Sequence, residues 1–518
     1  MNAGAATLDD APVPKRLPRR ISWLPFEQAR QRPDAEALVK GGTAWTYGRF
    51  AEAVRGTARF LDALGVRPGD RLLIVGENGL ALVTLIMAAS ELDAWPVPVN
   101  ARLTAAEIGR IRDHARPRRV FYTIGASPDA SRHAAADRAT AVPADIVPGA
   151  AVGALLESEP ELLERPAARQ VGALIYTSGT SGRPKGVMVS HRNLLYNAAA
   201  ACMIRRLVPE DRMCIVLPIT HIFGLASVFL AGVMAGVRIR LESRFEPDTL
   251  LAAMAEDGIS VVQGVPTMYA RLLERIEATG RAVVAPRLRY LSSGGGPLEP
   301  SLKARVERRF GITLQNGYGL TEAAPVVSMT RLNDPNPTCS VGYPPPDVAV
   351  RLIDDAGADV VSGATGELLV KGPNVMLGYY RDPELTAAAI TPDGWLRTGD
   401  LACAEPDGRL AIMGRKKELI IRGGFNIHPE EVEAALNSHP AVSLSGVVGQ
   451  KNGIDEDVVA FIQPRPGSHP DLDDIARHAA SRLAPYKRPG RIVVMDPLPA
   501  TTSGKVMKGK LRGLLEGS

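Results

Sequence analysis

The sequence predicts an α/β protein with a large N-terminal domain of parallel-sheet layers. A small antiparallel β subdomain and an α+β C-terminal domain follow. Three observations carry this reading. Over residues 50–292, short apolar runs alternate with segments whose apolar residues recur at helical spacing, the pattern of helices packed on a parallel sheet. From about residue 348 the texture changes to short strand-like runs with turns at Asp393-Gly394 and Asp407-Gly408, which suit an antiparallel sheet. The 518 residues also exceed what one core holds, roughly 250–300 residues, so further domains are expected. The division is placed at 1–415 and 416–518, with 1–20 as a loose tail.

Each element has its own signal. Phe50, Val54, Leu61 and Leu64 share a helical face that stops at Gly65, a C-cap residue. Residues 71–75 read as a strand, 82–89 as a helix, 95–99 as an extended run and 120–123 as a strand. Residues 128–169, rich in Ala, Pro and Glu, are expected as a surface excursion. The apolar run 173–176 reads as a buried strand. It empties into hydroxyls and glycines ending in one lysine. Helices are then expected at 193–203, 223–234, from Pro247 and at 267–276. Strands are expected at 213–217, 237–241, 261–264 and 288–292, and later at 348–353, 366–370 and 409–413. In the last unit, Pro429 opens a helix carrying Val432 and Leu436, and Leu472, Ile475, Ala479 and Leu483 line another.

Composition excludes several classes. A net charge of +5 over this length, with 23% charged and 45% hydrophobic residues, is ordinary for a globular protein. It forms no basic stripe, so no nucleic-acid partner is expected. Cys202, Cys214, Cys339 and Cys403 form no C-x-x-C pair, which argues against structural zinc or a disulfide framework. The N-terminus lacks the apolar core of a signal peptide, and the apolar run 80–89 is too short to span a bilayer. A cytoplasmic location is the default.

The most informative stretch is Thr177, Ser178, Gly179, Thr180, Ser181, Gly182 and, past Pro184, Lys185. Glycine lets backbone N–H groups approach an anion, while hydroxyls and a lysine add donors and charge. That is the chemistry of holding a polyphosphate, but the residue order is not that of a Walker A loop. Ligands of open α/β sheets bind beyond the carboxyl ends of strands. The 177–185 loop, His221, Gly294 to Pro297 and Tyr318 to Glu322 are therefore expected in one crevice.

Five segments in order, 176–186, 315–322, 394–400, 414–433 and 499–505, resemble the adenylate-forming superfamily, in its acyl-CoA synthetase and 4-coumarate:CoA ligase branch. The resemblance implies a carboxylate–CoA ligase that uses ATP, Mg²⁺ and coenzyme A. An acyl-adenylate forms with release of pyrophosphate, and a thiol then displaces AMP. It assigns the 177–185 loop to the β- and γ-phosphates and Glu322 to Mg²⁺, with Thr321 near the α-phosphate. Tyr318 and the Gly294–Gly296 backbone would enclose adenine, with Pro297, Asn316, Gly317 and Gly319 beside them. Asp400 and Arg415 would hold the ribose. Lys505 would bridge the carboxylate and the α-phosphate from a mobile C-terminal domain that turns about Lys417. His221 would position or gate at the junction of acyl pocket and thiol tunnel.

The same resemblance walls the acyl pocket with Phe223, Ser227, Gly294, Gly317, Pro325 and Val326. It places Gly317 where malonate-activating relatives carry an arginine, so an apolar monocarboxylate, aromatic or medium-chain, is expected and a dicarboxylate is not. Arg244, Arg422, Gly423 and Gly424 are the coenzyme A candidates, although Ile421 and Gly423 replace lysines of the plant coumarate ligases. The alternative thiol is a carrier-protein pantetheine. Residues 499–505 also resemble a context for lysine acylation, which implies an acetyltransferase and deacetylase acting on Lys505. The resemblance leaves room for a homodimer.

Overall fold

An eight-stranded, mostly parallel sheet carries one side of the crevice, and a five-stranded mixed sheet packs in the same domain. In the computed structural model, residues 16–163, 169–178, 184–280, 282–332, 334, 336–422, 425–452, 455–500 and 506–516 are described. The eight-stranded sheet runs Val326–Met329, Leu314–Gly319, Tyr290–Ser293, Val261–Gly264, Arg212–Ile215, Arg238–Leu241, Glu36–Lys40 and Thr43–Thr46. Its inner pairings are parallel and its two outermost pairings antiparallel. In the second sheet, Trp95–Asn100, Arg71–Gly76 and Arg119–Tyr122 pair in parallel. Helix Leu80–Glu91 is buried over nearly its whole length, as its uniformly apolar sequence requires. Among the described residues no helix is long and apolar enough to cross a membrane.

Four features differ from the sequence expectation. Residues 128–169 are not merely an excursion: helix Pro128–Ala136 is capped by Ser127, and Thr140–Ala141 and Ala151–Val152 extend the second sheet. The Ala-rich helix has too weak an apolar period to be read. Between the 177–185 loop and the expected helix, found at His191–Arg205, lies an unread return strand, Pro184–Ser190, antiparallel to Val171–Ser178. Pro184 can open that strand because a first position needs no ladder N–H. Leu396–Ala404, unread because glycine and charge interrupt it, completes the sheet Ala349–Ile353, Gly366–Lys371, Leu396–Ala404, Leu410–Arg415. Finally, residues 223–230 form a wide π-helical turn before helix Ala231–Ala235.

The C-terminal unit has its own core. Val442–Asn452, Asp455–Pro464 and Arg491–Val494 form a sheet. Val432, Leu436, Val447, Ile475 and Ala479 pack together behind it. Pro429 is the first residue of helix Pro429–Asn437, and Leu472–Ala480 presents Ile475 and Ala479 inward.

Fully buried Arg71 ties the second sheet to residues 158–159. It donates to the carbonyls of Gly69 (3.0 Å), Ala115 (3.0 Å), Arg116 (2.9 Å) and Glu159 (2.7 Å) and to the Ser158 hydroxyl (2.9 Å). Arg71→Met strands these acceptors and is expected to cost about 3 kcal/mol. The measurement is the midpoint of urea unfolding at unchanged slope; an unshifted midpoint would contradict this account.

Candidate active site

Asp400 sits where three elements meet. It lies opposite Arg415 in the antiparallel pair Leu396–Ala404 and Leu410–Arg415, so turn geometry alone brings acid and base together. Arg415 Nε is 3.0 Å from its carboxylate. Tyr318, near the end of Leu314–Gly319, donates its hydroxyl to the other oxygen. Burial, and then the Asp400 charge, push the Tyr318 phenol well above its ordinary pKa, so it remains a donor. The turn after Tyr318 depends on Gly319, where an added Cβ would lie 2.1 Å from the Pro325 carbonyl oxygen.

On the hairpin, Thr177 and Lys185 are direct cross-strand partners. The Lys185 ammonium stands 5.6 Å from the Tyr379 ring centre, and the Tyr379 hydroxyl donates to Glu322 at 2.8 Å. Tyr379 escaped the sequence reading. Its strand, Gly378–Tyr379, is two residues long, and only pairing with Pro184–Ser190 reveals it. Lys417 lies close enough that its pKa is lowered, first by the surrounding protein, then by Arg415 and also by Lys185. Lys185, Arg415 and Lys417 thus stand close together, with Asp400 and Glu418 among them. Among the described residues no cluster of three His, Cys, Asp or Glu could hold a metal alone. A single carboxylate suits Mg²⁺ that arrives on phosphate oxygens.

All six residues expected in the acyl pocket border one cavity of about 60 Å³, together with His221, Tyr318 and Gly319. His221 is exposed at its mouth, and the crevice walls hold its pKa below the ordinary value. Gly317 leaves no arginine beside Tyr318, and Arg205, which the sequence reading did not consider, reaches the cavity from the end of helix His191–Arg205. Nothing in its local sequence signals this, because helix packing across the core brings it there.

Gly295, Gly296, Pro297 and Arg415 border a second cleft against the C-terminal unit, and Gly295 belongs to both cavities. Thr321 is buried in the turn after Tyr318. Asn316 is also buried, and its amide donates to the Cys339 and Ser340 carbonyls at 2.9 and 3.3 Å, so its side chain braces the strand end. Arg244 is already engaged, bidentate on Glu77 at 2.9 and 3.0 Å and 2.6 Å from Asp129. Arg422 donates to the Tyr486 and Arg488 carbonyls at 3.4 and 3.0 Å. Gly179, Thr180, Ser181, Gly182, Gly423, Gly424, Lys505 and the Ser178 side chain lie outside the described residues.

Residues 25–380 match the family model for the AMP-binding enzyme, and residues 431–505 match that for the AMP-binding enzyme C-terminal domain. The chain belongs to the AMP-binding enzyme family. Within that family it is 36% identical over 494 residues to a feruloyl-CoA synthase from Amycolatopsis, covering 95% of this chain and 98% of that one. It is 32% identical over 507 residues to a 2-succinylbenzoate–CoA ligase from Geobacillus kaustophilus, covering 95% and 98%. Its fold superposes on an O-succinylbenzoate coenzyme A synthetase from Bacillus subtilis, solved with ATP and magnesium ion, at a TM-score of 0.81 and 28% identity, covering 96% and 99%.

One carboxyl group of this AMP-binding enzyme titrates near neutrality. Glu299 borders the second cleft, and burial raises its pKa to about 7 despite a hydrogen bond from Asn437 of the C-terminal unit. Its ordinary value is 4.5. Between the two values the native state holds a proton that the unfolded chain has lost, so stability falls as pH rises through this window and stays lower above it. Glu299→Gln is expected to remove that slope. Denaturation of both proteins at about pH 5 and pH 8 tests it; a difference between them that does not change with pH would refute the assignment.

Proposed function

We propose that this ligase activates a carboxylic acid with a largely apolar body, aromatic or medium-chain, as an acyl-adenylate and passes the acyl group to free coenzyme A. AMP and pyrophosphate leave. The juxtaposition of the acyl cavity with the Tyr318–Asp400–Arg415 cluster carries the reading, since one crevice then offers a place for the acid and groups suited to a nucleotide. The relatives named above are coenzyme A ligases, which favours free coenzyme A over a carrier protein.

In this reading Asp400 accepts hydrogen bonds from the ribose hydroxyls and Tyr318 lies along adenine. Thr177 and Lys185, with the hairpin tip between them, hold the β- and γ-phosphates. Glu322, oriented by Tyr379, holds Mg²⁺, which would neutralise phosphate charge, and Thr321 lies near the α-phosphate. Lys505 joins the incoming carboxylate to the α-phosphate, where charge builds in the transition state. The division at 415/416 makes Lys417 the hinge that withdraws Lys505 and admits Gly423 and Gly424 to the thiol path. His221 gates that path. Acetylation of Lys505 would remove the charge and stop the first step.

Lys505→Ala is expected to slow pyrophosphate release about 10²–10³-fold while sparing transfer to coenzyme A from supplied acyl-adenylate. Rapid-quench assays of the two half-reactions measure this. Equal loss in both would sink the two-conformation mechanism, and ADP in place of AMP would sink the ligase reading.

A further inference from the structure

The acid itself is further defined by the floor of the acyl cavity, an inference that rests on the ligase reading above. The lining is almost wholly apolar, yet a set of buried polar groups stands directly behind it. Arg205 is fully buried and lines the cavity. It donates to the Ser227 carbonyl and, at 2.7 Å, to the Ser227 hydroxyl, while its Nε has no partner. No carboxylate among the described residues forms an ion pair with it. Three further cavity residues, Ser292, Ser293 and Ser328, are 4%, 2% and 0% exposed, and none of their hydroxyls has a partner.

Depth separates this set from the reacting end. His221 is exposed and Tyr318 half-buried at the mouth, whereas Arg205, Ser227 and Ser328 are wholly enclosed. A buried guanidinium without a counter-charge is costly, and so is each buried hydroxyl left unpaired. These groups are already out of water, and an acyl chain that is hydrocarbon to its tip would leave them unmet. An acid that ends in oxygen would satisfy them, and Arg205 has a free N–H to give.

We propose that the acid carries a hydrogen-bond-accepting oxygen at the end remote from its reacting carboxylate, and that Arg205 binds this oxygen. The acceptor is a neutral carbonyl or a second carboxylate, and the test separates the two.

The test compares kcat/KM for pyrophosphate release with phenylpropanoate and its para-ethyl, para-acetyl and para-carboxy derivatives. The acetyl or the carboxy acid is expected to exceed the ethyl isostere by about 10–100-fold, and whichever leads names the acceptor. Arg205→Met is expected to bring the oxygenated-to-ethyl ratio towards one, and Arg205→Lys to keep part of it. A wild-type preference for the ethyl acid overturns the proposal. So does an Arg205→Met that slows every acid by one factor, the mark of a purely structural arginine. Should Arg205→Met not fold, the wild-type ranking and Arg205→Lys decide. Calorimetry with the four matching acyl-sulfamoyl adenosines distinguishes the two readings. Equal affinities for all four overturn the Arg205 proposal alone, and no affinity for any overturns the ligase reading itself.

Discussion

The buried carboxylate of Asp400 is the constraint around which the crevice is built. A carboxylate nearly out of water must be paired on both oxygens, because each one left bare is expensive. Arg415 meets one from the neighbouring strand and Tyr318 meets the other from the eight-stranded sheet. The antiparallel subdomain is thereby pinned to the end of the main sheet. Arg415 also precedes the 3₁₀ turn Lys416–Glu418, so the same cluster sets where the chain leaves for the C-terminal unit.

Charges of both signs crowd the crevice. Lys185, Arg415 and Lys417 approach one another from three different elements, and the pKa of Lys417 is lowered by burial first and by Arg415 and Lys185 after it. Asp400, Glu418 and Glu322 offset these cations. A polyanion relieves such a site, whereas an apolar ligand does not. The cavity proposed for the acyl group has the opposite character, an almost wholly apolar lining with Arg205 and the serines buried behind it.

Much of the fold was legible. Parallel strands betray themselves as apolar runs, so 261–264 was read to the residue. Segments that pair by tertiary contact and not by composition were missed. Pro184–Ser190 reads locally as loop, Leu396–Ala404 as an interrupted motif, and Pro128–Ala136 as unpatterned alanine. In the site, the six acyl-pocket residues converge on one cavity. Arg244 is instead consumed by Glu77 and Asp129, 167 and 115 positions away in sequence, a pairing no local pattern announces.

By itself the sequence determined the fold class, the order of the motifs and the residue types that face the crevice. These follow from periodicity and from the chemistry of short segments. Only the tertiary structure decided which charges remain available. It engaged Arg244, set Tyr379 on Glu322 and delivered Arg205 to the cavity floor. Whether a charge is neutralised depends on what stands within a few ångströms of it, and neighbours far apart in the chain are chosen by packing.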